Sequence, residues 1–240
     1  MAQDDRRQPR LPITLKVAYR TSGSFLVSYS VNLSKGGIFL ETGEPLAVGE
    51  TVQLAFDVPQ AGALSVEGVV AWVRQGSTDG MPDGMGIQFT QLDERYGDII
   101  DAMVRGFVGL TVMVVAASPD RLALLARYVR SIISCEIVEA TTPEVAEVAL
   151  EELPDLVIVD LDVRPDLGVR AIDAARRQET TSGQRVPVIL LAGDPARRAQ
   201  GKQLGADEAL ATPPSYHDLQ AAVIRTLSRP SAVAAEGAPE

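Results

Sequence analysis

The sequence predicts two domains of different class: a small antiparallel β-barrel or sandwich, followed by an α/β domain built on a parallel sheet. Two observations carry this. Up to about Phe89, apolar residues recur at every second position in several short runs, the pattern of half-buried strands. Beyond about Thr111 the strands are unbroken apolar runs separated by helical segments, the pattern of a parallel sheet covered on both faces.

In the first half, Ile13, Leu15, Val17 and Tyr19 share one face of a strand, with Thr14, Lys16, Ala18 and Arg20 on the other. Thr21-Ser22-Gly23-Ser24 reads as a hairpin turn into a second strand. Val52, Leu54, Phe56 and Val58 alternate in the same way, and Leu64–Val73 and Gly84–Phe89 read as further strands. A helix follows on Leu92, Tyr96, Ile99, Met103 and Phe107, with Thr90 or Asp93 as its cap. Trp72 and Met103 read as core residues.

In the second half the apolar runs are Val112–Ala117, Leu156–Val159 and Val186–Ala192. Helical segments are expected near 120–131, 143–152, 167–177, 194–204 and 215–228. Cys135, in SCEIVEA, reads as buried core on a short strand. The stretch from Arg229, RPSAVAAEGAPE, reads as a disordered tail over 229–240.

Composition narrows the function classes. The chain has 240 residues, 46% of them hydrophobic and 22% charged, enough for two cores. A net charge of −10 argues against a nucleic-acid partner. No apolar run is long enough to insert in a membrane, and the opening MAQDDRRQPR is polar, unlike a signal peptide. One cysteine gives no disulfide framework, so a cytoplasmic location is expected. A His-dependent triad is limited to His217, the only histidine, at an expected exposed helix start, and a metal site has no ligand cluster to use.

Basic residues nevertheless cluster near the start, where Arg6, Arg7, Arg10, Lys16 and Arg20 face only Asp4 and Asp5. On an acidic chain this points to a defined anionic ligand. Pairing Arg20 with Phe25 in the expected hairpin sets Leu11 opposite Ser34 and brings RRQPR alongside NLSKGG. Arginines offer bidentate contacts to phosphate and to the O6/N7 edge of guanine. Asn32 and Ser34 supply hydrogen bonds to a base or phosphate, and glycines admit a flat ligand close to the backbone. A guanine nucleotide suits this set.

Arg6-x-x-x-Arg10 followed by Asn32-x-Ser34-x-x-Gly37 resembles the two-part signature of PilZ domains. GGIFLET, GVVAWV and GMGIQF agree with that family, and the likeness covers residues 5–108. The resemblance implies a six-stranded barrel that binds cyclic di-GMP. Arg6 and Arg10 would contact phosphate and guanine, Asn32, Ser34 and Gly37 would form the base pocket, and Arg7 would assist.

VMVVAASPD, PDLVIVDLDV and GADEALATPP resemble a response-regulator receiver domain over residues 111–228, which implies a doubly wound, five-stranded parallel sheet. Asp160 stands where that family is phosphorylated. The acidic pair after the first strand is replaced by Ala116 and Ala117, the Ser/Thr after the fourth by Ala192, and the lysine by Thr212. Without these groups phosphoryl transfer loses its electrostatic stabilisation, so no metal site and no phosphorylation of Asp160 are expected.

Together these readings give a non-enzymatic bacterial cyclic di-GMP receptor whose receiver-like half binds a protein partner or forms a homodimer. The family resemblance implies outputs in motility, pili or exopolysaccharide. The alternative is a scaffold that assembles regardless of nucleotide.

Overall fold

A computed structural model describes residues 13–31, 36–59, 62–76, 82–92, 96–230 and 232–236. The chain forms β1 (Ile13–Ala18), α1 (Ser22–Val31), β2 (Gly37–Glu41), β3 (Thr51–Val58), β4 (Gly62–Arg74), β5 (Gly84–Leu92) and α2 (Tyr96–Gly106). There follow β6 (Leu110–Val115), α3 (Pro119–Ile132), β7 (Cys135–Ala140), α4 (Pro143–Glu151), β8 (Leu156–Asp160) and α5 (Pro165–Ser182). Last come β9 (Val188–Leu191), α6 (Pro195–Gln203), β10 (Glu208–Leu210), α7 (Tyr216–Leu227) and β11 (Ala232–Glu236).

The elements divide into two compact units. One takes in the chain to Tyr19, residues 32–102 and the chain from Pro230; the other holds Arg20–Val31 and Met103–Arg229.

The first unit is a six-stranded sheet in the order β11-β1-β3-β4-β5-β2. The period-two reading holds residue by residue. Leu15, Val17, Val52, Leu54, Phe56, Val58, Leu64 and Val66 are all buried, and the residues between them are more exposed. Each such side chain contributes about 1.5–3 kcal/mol on burial, which fixes the register because a one-residue slip would expose the whole set. Register shifts at Glu67/Gly68 and Val70/Trp72 interrupt the β4–β5 ladder, and such bulges curl a sheet.

The expected all-antiparallel barrel with a hairpin at Thr21–Ser24 is corrected here. β1 pairs with β3 in parallel, so the sheet is mixed. Residues 22–31 form α1 instead of a second strand. Tertiary contacts override the local pattern: the Thr21 hydroxyl accepts from Ser24 N at 3.1 Å, starting the helix, and donates to Asp155 Oδ1 at 2.8 Å. The stretch expected to be a disordered tail contributes β11, antiparallel to β1. Thr90 lies within β5 and Asp93 outside the described residues, so neither is seen to cap α2.

The second unit is a five-stranded, wholly parallel sheet in the order β10-β9-β8-β6-β7. Its three central strands, β6, β8 and β9, are buried on both faces, which explains their unbroken apolar runs; the edge strands β7 and β10 are only partly covered. Val112, Val114, Leu156, Ile158, Ile189 and Leu191 pack against α3 and α7. Met113, Val115, Val157, Val159, Val188 and Leu190 pack against the opposite layer, chiefly α4 and α5. Pro at the first turn opens α3, α4, α5 and α6, a position where its missing N–H costs nothing. Gly183 (φ 72°) closes α5. Cys135 is half-buried rather than core.

Candidate functional site

Of the residues expected to bind a ligand, Gly37 is described; Arg6, Arg7, Arg10, Asn32 and Ser34 lie outside the described residues. Gly37 opens β2 and pairs with Gln88 of β5. A Cβ at this position would stand 2.7 Å from the Ile87 carbonyl oxygen, so the close approach of β2 to β5 requires glycine. The preceding residue, Gly36, has φ +80° and accepts from Phe89 N at 2.8 Å. Gly36 and Gly37, the end of the NLSKGG stretch, are therefore anchored onto β5.

Ile38 and Leu40 are buried, so Gly37 and Phe39 lie on the outer face of β2. There Phe39 stacks on Trp72, with ring centroids 5.2 Å apart and planes inclined by 10°. The Arg74 guanidinium lies 5.6 Å from the Phe39 centroid and 5.3 Å from that of Trp72, within cation–π range. Trp72, expected in the core, is 43% exposed. The β-bulge at Val70/Trp72 sets this side chain outward, opposite Gly86. Alternation gave no signal of that, because one extra residue inverts the faces beyond it. Met103 is half-buried rather than core.

In the second unit, Asp160 ends β8 at the carboxyl edge of the sheet, where open α/β sheets place their sites. It is 3% exposed. Its Oδ2 accepts from Arg121 Nε and its Oδ1 from Asp162 N at 2.9 Å. Arg121 Nη2 also lies 3.9 Å from Asp162 Oδ2, and Gly193 N donates to Asp162 Oδ1 at 2.8 Å. Ala116 and Ala192 are buried alanines, and the Thr212 hydroxyl is buried without a hydrogen-bond partner. Among the described residues no three His, Cys, Asp or Glu side chains come together as a metal-ligand set. The positive charge beside Asp160 comes from Arg121, in the first turn of α3. Sequence reasoning missed it, although an arginine one turn into the helix after the first strand of such a sheet is within reach of that edge.

Arg20 is a second buried charge. Its side chain is 5% exposed, 3.4 Å from Asp155 Oδ1, and donates to the Leu153 carbonyl at 3.2 Å. Burial pulls its guanidinium below the usual arginine range, while the Asp155 charge opposes that. Asp155 Oδ2 accepts from Thr111 N at 2.9 Å, tying this carboxylate to the start of the parallel sheet.

Residues 4–106 match the family model described as the PilZ domain. No curated protein matches the chain. Among solved structures, a Chloroflexus aurantiacus protein assigned as a response regulator is 24% identical, covers 50% of this chain and 98% of its own, and superposes with a TM-score of 0.45. The receiver domain of a sensor histidine kinase from Pseudomonas aeruginosa is 22% identical, with 50% and 98% covered and a TM-score of 0.44. The chemotaxis protein CheY4 of Vibrio cholerae is 20% identical, with 49% and 98% covered and a TM-score of 0.43.

Proposed function

Starting from the PilZ domain carried by residues 4–106, we propose that this chain is a receptor for cyclic di-GMP that passes the signal to a protein partner. The observation that carries this reading is the span of the family match, which includes both Arg6-x-x-x-Arg10 and Asn32-x-Ser34-x-x-Gly37. In this reading Arg6, Arg7 and Arg10 engage the phosphates and a guanine edge. Asn32 and Ser34 hydrogen-bond a guanine, and Gly37 lets the ligand approach the backbone. The outward Phe39–Trp72–Arg74 stack supports it, because an aromatic face beside a guanidinium suits a flat base.

The receiver-like half acts as an interaction module without chemistry of its own, engaging a protein partner or a second copy. The Arg121–Asp160 pair supports this, since a carboxylate already neutralised by an internal guanidinium is poorly placed to hold Mg²⁺. PilZ and receiver-like domains are typically non-enzymatic binding modules, in keeping with a protein that is not an enzyme. No helix among the described residues is long and apolar enough to cross a membrane, and the proposed setting is the bacterial cytoplasm, in control of motility, pili or exopolysaccharide.

Calorimetric titration of cyclic di-GMP, with GTP as control, tests the reading. Saturable heat for the cyclic dinucleotide alone is expected. Absence of binding, together with a partner captured equally with and without nucleotide, would favour a nucleotide-independent scaffold instead.

A further inference from the structure

Two segments sit in conformations that their residues disfavour, and each has the composition the other conformation wants. α1 reads SGSFLVSYSV. Phe25, Val27, Tyr29 and Val31 prefer strands, and serine prefers caps and turns to helix interiors. The helix buries Gly23, Ser24, Phe25 and Ser28 and leaves Leu26, Val27, Tyr29 and Val31 only partly covered. A helix held by packing buries an apolar stripe; this one buries Phe25 beside Gly23, Ser24 and Ser28, with Val27 part-covered against the core of the second unit. What holds its start is the attachment of Arg20 and Thr21 to Asp155.

β11 is the converse. It reads AVAAE, three alanines and a glutamate, all depleted in strands and good helix formers. It nevertheless lies antiparallel on β1, with Val17 opposite Val233 and Leu15 opposite Ala235. A segment whose local preference contradicts its place marks a competing state.

The other edge of β1 is filled by β3, so β11 occupies the edge a hairpin would use. Extended, residues 25–31 carry apolar side chains at 25, 27, 29 and 31, in phase with the buried Leu15, Val17 and Tyr19. A five-residue connection over 20–24 sets Phe25 opposite Tyr19, Val27 opposite Val17 and Tyr29 opposite Leu15. This register differs by one residue from a turn that pairs Arg20 with Phe25, and the shift brings both apolar sets to one face.

We propose that β11 and residues 25–31 are rival occupants of the same edge of β1. In one state 22–31 is helical and β11 is seated; in the other 25–31 is a strand on β1 and β11 is released. The exchange transfers residues 20–31 from the second unit to the first. It also changes which unit holds Val31, the residue preceding Asn32. It stands whether or not cyclic di-GMP is the ligand.

Disulfide competition tests this, in the full chain carrying Cys135→Ser. Positions 16 and 234 are Cα partners in the seated state, so Lys16→Cys with Ala234→Cys traps it. Lys16→Cys with Ser28→Cys traps the exchanged state. With all three substitutions present, mild oxidation and peptide mapping should yield both links. Ending the Lys16→Cys, Ser28→Cys chain at Arg229 should turn the 16–28 link from a minor product into the major one. A 16–28 link absent from both the full and the shortened chain would overturn the proposal, and so would failure of both links to form.

Discussion

The Arg121 guanidinium donates to the Asp160 carboxylate across 39 residues of chain, and the Asp160 side chain is only 2% exposed. The pair places a positive charge from within the chain against this buried carboxylate.

Arg121→Ala leaves that carboxylate buried without its counter-charge. Breaking a fully buried pair costs about 3–5 kcal/mol, and with Arg121 29% exposed a loss of about 2 kcal/mol is expected. Urea denaturation reads this directly, and an unchanged midpoint would show the pair to be idle. In the unaltered chain, a small phosphodonor with Mg²⁺ should leave Asp160 unmodified by intact-mass measurement.

Asp155 is expected to be at least as sensitive. Asp155→Ala strands Arg20, whose side chain is 5% exposed, and removes the acceptor for Thr21 and for Thr111 N. A loss of about 3 kcal/mol is predicted, with hydrogen exchange rising first over residues 20–31. Protection there equal to that of the unaltered chain would contradict the role given to Asp155.

Gly86 is the bed on which the Trp72 indole lies, and a Cβ there would stand 2.2 Å from its Nε1 and Cε2. Gly86→Ala must displace the ring, at a cost of about 1–3 kcal/mol. Trp72 is the single tryptophan, so its emission reports the change without interference. Unaltered emission would contradict the stacked arrangement.

Alkaline pH should weaken the fold through Cys135. Burial of the thiol holds its pKa above the ordinary value, with Arg130 pulling the other way less strongly. With the folded-state pKa raised, this contribution is intact below the unfolded value and lost as pH rises through the folded one. Cys135→Ala should therefore flatten the decline in stability between about pH 7 and about pH 10. Parallel declines in the two proteins would count against it. The effect is small, because the thiol is only half-buried.

The legible parts of the sequence were those where local pattern and tertiary burial agree. Val112–Val115 and Leu156–Val159 are apolar at every position because both faces of their sheet are covered, and they could be read no other way. Residues 25–31 misled because their alternation describes a strand, while Arg20 and Thr21 just ahead of them are tied to Asp155, more than a hundred positions away, and the segment follows as a helix. β11 was invisible because alanines carry no strand signal. Arg121 was missed because its partner is set by the crossing of α3 over the sheet edge, and Trp72 because a bulge reverses its face.

The proposed cyclic di-GMP site joins Arg10 to the NLSKGG stretch. Titration of the nucleotide into the unaltered chain and into Arg10→Ala tests it most directly. The unaltered chain should bind, and the variant should bind at least about tenfold more weakly, a difference of about 1.4 kcal/mol. Equal heats in the two proteins, or no heat in either, would contradict it.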